Sequence, residues 1–139
     1  MGLKMTTEEV SALLAREYPQ VSAHFTVEAL EDMRIRVRLN VGEAHLRPGG
    51  TVSGPSIFAL ADVAVYMCLL SMIGPETLAV TTNCAIDFMR KPAANTDLIA
   101  DCRLLKLGRV LAVGDVLIFS DGMPEAVARA SLTYSIPPR

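Results

Sequence analysis

The run IFALADVAVYMCLLSM, Ile57–Met72, constrains the fold more than any other part of the chain. Its length and its Ala, Leu and Met content predict a helix. Ser53 or Gly54 can cap it, Pro55 suits its first turn, and Gly74-Pro75 stops it. A helix apolar on every side must be buried on nearly every side. The run is about the shortest that spans a bilayer, and the acid in its middle, Asp62, is costly there. The N-terminal MGLKMTTEEV carries no apolar signal region. The expectation is a soluble, cytoplasmic protein, with no membrane partner, that encloses this helix within itself.

The flanking patterns supply the enclosure. TTEEVSALLARE, Thr6–Glu17, has a helix start signal followed by Val10, Leu13 and Leu14 at helical spacing, and Pro19 ends it. MRIRVRLNV then alternates, with Met33, Ile35, Val37, Leu39 and Val41 on one face and Arg34, Arg36, Arg38 and Asn40 on the other. That is a half-buried antiparallel strand. Val21–Ala29 is its expected hairpin partner, with the turn near Leu30–Asp32. Gly42–Pro55 is a loop, rich in glycine and proline. After the apolar helix come four strand-like runs, Leu78–Met89, Asp97–Lys106, Val110–Phe119 and Ala126–Ser135, separated by KPAANT, LG and SDGMPE. The 139 residues suit one α+β domain spanning 1–139, with its N-terminal helix in 1–19. Four consecutive strands predict an antiparallel sheet curled around the helix. A second copy would cover what the sheet leaves open and protect its edges.

Composition excludes several function classes. The net charge is −2 and the pI about 5.6, with no basic run, so no nucleic-acid partner is expected. Cys68, Cys84 and Cys102 form no CxxC pair and read as reduced core thiols. His24 and His45 show no ligand spacing with them, so no metal is expected. No Gly-x-Ser-x-Gly elbow exists, and Ser53 reads as a cap rather than a nucleophile. Arg34, Arg36 and Arg38 read as a solvated or subunit-facing strip, or else as an attractor of an anionic ligand. Asp87 and Asp101 read as solvated strand residues or ion-pair partners.

Asp62 carries the functional question. At about 100° per residue it shares a helix face with Ala59 and Tyr66. An unpartnered carboxylate there costs several kcal/mol or loses its charge. One reading is structural: Asp62 accepts hydrogen bonds from backbone groups or Tyr66 and locks a subunit contact. The other makes it a general base or nucleophile beside a cleft. Two turns upstream lies a Gly-rich helix start, whose free N–H groups can hold a developing oxyanion. Asp62 stands too far along the same helix to attack a carbonyl held there. An acid from a second subunit would solve that geometry.

GTVSGPSIFALADVAVY, TTNCAIDFMRKPA and LLKLGRVLAVGDV occur in an order and spacing that resemble the hotdog-fold acyl-CoA thioesterases, most closely the phenylacetic-acid-degradation (PaaI-like) type. The resemblance runs from about Arg47 to the C-terminus. It implies a curved antiparallel sheet wrapped around one long helix, and a homodimer or homotetramer. It also implies hydrolysis of an acyl-CoA thioester at a subunit-interface site, with no cofactor beyond the coenzyme A of the substrate. Asp62 falls on the family's catalytic acid, and Gly54 on the glycine whose N–H polarises the carbonyl. Thr81, or Thr82 with a one-residue slip, falls on the hydroxyl that positions water. Arg90 and Lys91 open the loop that meets the nucleotide, and Arg109 is a further phosphate contact. Ser53 and Tyr66 complete the expected substrate-binding set, Tyr66 as lining of the acyl tunnel. Where the family has His-Gly-Gly this chain has Ser53-Gly54-Pro55, and the upstream loop Asn of many relatives is missing, with Ser53 or His45 as candidate substitutes. The departure keeps two alternatives open: a non-catalytic acyl-CoA-binding protein and, ranked below it, a hydroxyacyl-thioester dehydratase using His45.

Overall fold

The structure, a computed structural model, describes residues 2–138. Helix α1 (Thr7–Glu17) is closed at its start by a reciprocal capping box. The Glu9 N–H donates to Thr6 Oγ1 at 3.1 Å, and the Thr6 N–H donates to the Glu9 carboxylate at 3.0 Å. Its Val10, Leu13 and Leu14 are buried, as the spacing requires. Strands β1 (Phe25–Glu31) and β2 (Arg34–Leu39) form the expected hairpin. Val21 was expected in β1, but Ser22–His24 wind into a 3₁₀ turn instead. The hairpin turn is Asp32-Met33, with Met33 at φ 63°.

Helix α2 (Gly54–Ile73) is the apolar run. Its most apolar window has a mean hydropathy of 2.0, the composition of a membrane span, yet 67% of that window is buried within the protein. The enclosing sheet is antiparallel and ordered β1-β2-β4-β5-β6-β3, with β3 Val80–Phe88, β4 Leu98–Leu107, β5 Leu111–Ser120 and β6 Ala126–Ser135. This is the hotdog arrangement. β4, β5 and β6 follow one another as hairpin neighbours, whereas β3 does not pair with β4. At the KPAANT connection the chain leaves β3 and joins β4 beside β2, while β3 pairs with β6 at the sheet edge.

The helix lies close against the sheet because β5 makes room for it. A Cβ added at Gly114 would meet both Val65 methyls at 3.1 Å. Cys68 and Cys102 are buried in this core as free thiols, whereas Cys84 on β3 is half-buried. On the outer face, two of the three arginines of the basic strip are paired within the chain. Arg38 reaches Glu28 at 2.7 Å and both Asp97 and Asp121 at 3.0 Å, and Arg34 pairs with Asp101. Asp87 pairs with Arg129.

Candidate active site

Asp62 is half-buried, and its partners come from two strands. Thr81 Oγ1 donates to Asp62 Oδ1 at 2.6 Å, and the Tyr134 hydroxyl donates to the same oxygen at 2.7 Å. Tyr134 also lies 3.1 Å from the Asp62 carbonyl oxygen. The register explains the convergence: Thr81 on β3 sits opposite Tyr134 on β6, so the two side chains stand side by side facing the helix. Among the described residues no protein group donates to Oδ2. One oxygen of Asp62 is therefore fixed and the other is free.

A bulge decides which threonine does this. The β3–β6 register slips between Thr81 and Asn83. Counting back by twos from Ile86 and Cys84 would turn Thr82 inward, but the extra residue re-aims the strand and brings Thr81 to the carboxylate. Thr82 is exposed, and its hydroxyl donates to the Thr133 carbonyl at 3.3 Å.

Tyr134 was missed by sequence reasoning. Its only signal was its place on the buried face of the last strand, which also describes a packing residue. Its phenol is held well above its ordinary pKa, first by burial and then by the negative charge of Asp62, so it remains a donor. Tyr66 stacks on Tyr134 with ring centroids 6.0 Å apart, and donates its own hydroxyl to the Thr77 carbonyl rather than to Asp62. Asp62, Tyr66, Thr81 and Tyr134 all line one cavity of about 430 Å³.

The helix start lies elsewhere in the chain. Gly54 precedes Asp62 by about two turns, an axial separation of about 12 Å at the helical rise. Ser53 caps the helix, with its Oγ accepting the Ser56 N–H at 3.4 Å. Pro55 has no N–H. Of the first three helical residues, Gly54 alone keeps an N–H without a partner among the described residues. Phe88, at the far end of β3, packs over it. Arg90 and Lys91 follow directly and are exposed. Arg90 is tied to the start of β6, donating to the Ala126 carbonyl at 3.0 Å. Arg109 is exposed in the β4–β5 turn at the opposite end of the sheet, the Val80 end of β3. Within one chain the expected residues thus form two groups, one at each end of β3.

His45 belongs to the helix start rather than to the Asp62 cavity. Its Nδ1 accepts the Gly42 N–H at 2.8 Å, and its carbonyl accepts the Ser53 N–H at 2.8 Å. Burial first, and then His24 at a ring-centroid distance of 4.7 Å, hold its pKa below the ordinary value. It acts as a neutral post that fixes the loop leading to Gly54.

The sequence profile of the thioesterase superfamily matches residues 49–127. The chain belongs to the thioesterase superfamily. Its matched segment holds Gly54, Asp62 and Thr81 but neither α1 nor Tyr134. Among solved structures, a candidate thioesterase of Silicibacter sp. TM1040 is 57% identical, with a TM-score of 0.94, covering 99% of this chain and 96% of that one. A mutant of the phenylacetic acid degradation protein PaaI from Thermus thermophilus is 28% identical, with a TM-score of 0.73, over 86% of this chain and 99% of that one. Zebrafish thioesterase superfamily member 2 shares the fold at 19% identity, with a TM-score of 0.84 over 96% of this chain and 100% of that one. No curated protein sequence matches.

Proposed function

We propose that this thioesterase-superfamily protein hydrolyses acyl-CoA thioesters at sites built by two copies of the chain. The observation that carries the reading is the carboxylate of Asp62, pinned through one oxygen and free at the other beside a cavity. In the first step Oδ2 takes a proton from water as the water oxygen bonds to the thioester carbonyl carbon. The carbonyl oxygen becomes an oxyanion, held by the N–H of Gly54. The C–S bond then breaks, the carbonyl reforms as the free acid, and the coenzyme A sulfur leaves with the proton from Asp62.

The second copy supplies what one chain separates. β3 is an unpaired edge, with Val80 and Phe88 more than half exposed along it and Leu78 just before it. An open apolar edge favours pairing with another strand. Two β3 strands related by a two-fold axis pair antiparallel, which sets the Thr81 end of one beside the Phe88 end of the other. Asp62 of one copy then approaches Gly54 of its mate. The same pairing brings Arg90 and Lys91 of that mate to the mouth of the site, toward the phosphates of coenzyme A, with Arg109 of the first copy at the same end. The resulting assembly is a homodimer or a pair of dimers.

Free thiol release from a panel of acyl-CoAs, wild type against Asp62→Asn, tests the reaction. Saturable release lost in the variant supports hydrolysis. Tight binding without release would favour a carrier, and release unchanged in Asp62→Asn would remove Asp62 from the mechanism.

A further inference from the structure

Resting on that reading of the site, we infer that the cavity beside Asp62 selects acyl groups that carry no negative charge at their far end, and that Glu17 on the N-terminal helix enforces the choice. All three tyrosines of the chain, Tyr18, Tyr66 and Tyr134, line this cavity with apolar side chains such as Val63, Leu78 and Val80. Two carboxylates, Asp62 and Glu17, face it, and among the described residues no Lys, Arg or His belongs to its wall. The wall therefore offers apolar area, aromatic faces and negative charge. An acyl chain running inward from a thioester at Asp62 meets the end of α1 at its far end.

Glu17 is held in place at that end. α1 is seated on the core through Val10, Leu13 and Leu14, and the segment before it is tied to α2 by the Lys4 N–H on the Ser71 carbonyl at 2.7 Å. Glu17 accepts a long hydrogen bond from Thr77 Oγ1 at 3.4 Å. Its charge reaches into the cavity, since it is among the causes that raise the pKa of Tyr66, after burial. Arg16 approaches Glu17 at 3.7 Å, but both side chains are substantially exposed and such a pair neutralises little. α1 lies outside residues 49–127, so this selectivity belongs to the N-terminal helix and not to the segment shared by the superfamily profile.

The test compares hexanoyl-CoA with glutaryl-CoA, which are similar in length but differ by a terminal carboxylate. kcat/KM and dissociation constants are measured for wild type, Glu17→Gln and Glu17→Lys. Wild type is expected to favour hexanoyl-CoA by about tenfold or more, Glu17→Gln to narrow the preference by about fivefold, and Glu17→Lys to narrow it further, as a partly solvated charge a few ångströms away dictates. Equal use of the two thioesters by wild type, or a preference that neither variant alters, would overturn the inference. If wild type releases no thiol from either ester, hydrolysis is what fails. The ratio of the two dissociation constants across the three proteins then decides the selectivity by the same criteria.

Discussion

The Tyr134 hydroxyl and the Thr81 hydroxyl meet on a single oxygen, Oδ1 of Asp62, at 2.7 Å and 2.6 Å. Two donors on one oxygen fix the carboxylate plane and, among the described residues, leave the second oxygen without a protein donor. A hydrogen bond to a charged group is worth roughly 1.5–3 kcal/mol, so Tyr134→Phe should lower kcat by about tenfold to a hundredfold. KM should change little, because the phenol orients Asp62 and does not hold coenzyme A. Steady-state kinetics on one acyl-CoA give the split. A rise in KM at constant kcat would make Tyr134 a binding residue instead.

The β3 bulge makes a sharp prediction about two adjacent threonines. Thr81→Val removes a donor from Asp62 and should cost about tenfold or more in kcat. Thr82→Val touches only an exposed strand carbonyl and should leave kcat within about twofold. The reverse order would place the bulge wrongly.

His45 predicts how stability depends on pH. Its folded pKa is depressed below the ordinary value of 6.5, so the unfolded chain binds the proton first as the pH falls. Stability is full above about 6.5 and declines below it, toward the lower folded value. Melting temperatures measured between about pH 7.5 and 5.5 should fall for wild type and fall less for His45→Asn, which keeps an acceptor for Gly42 but cannot titrate. Equal slopes would mean that folding does not lower the pKa of His45.

Gly114 sets how closely α2 approaches the sheet. Gly114→Ala drives a Cβ against both Val65 methyls, a stiff side chain that is fully buried, and should cost about 1–3 kcal/mol of stability. Adding Val65→Ala should recover part of that loss, with the two changes non-additive in denaturant melts.

Much of the fold was legible in the sequence because its strongest signals are local. The run Ile57–Met72 is apolar all round and can only be a core helix or a membrane span, and Asp62 argued against the span. The order of strands in the sheet was less legible. Nothing in Leu78–Met89 distinguishes a strand that pairs with the next one from a strand that pairs with the last. Thr81 was read from the resemblance, with Thr82 left open, and that ambiguity has a physical cause: a bulge breaks the period of two at that point. Tyr134 was illegible because its role is set by a cross-strand partner, Thr81, more than fifty residues away. Glu17 ends an ordinary amphipathic helix, and only packing brings it to the cavity wall.

The central claim is that Asp62 and Gly54 of one site come from different copies of the chain. Subunit mixing tests it directly. Asp62→Asn removes the base and Gly54→Pro removes the N–H, and each variant alone should release almost no thiol from an acyl-CoA. Co-expressed and allowed to pair at random, half of the dimers are mixed, and in each mixed dimer one site regains both an intact Asp62 and an intact Gly54. Thiol release should then recover to about a quarter of the wild-type rate, as two-fold symmetry requires. Recovery near zero, with mixed dimers formed and both variants folded by their melts, would contradict the account and place the whole site within one chain.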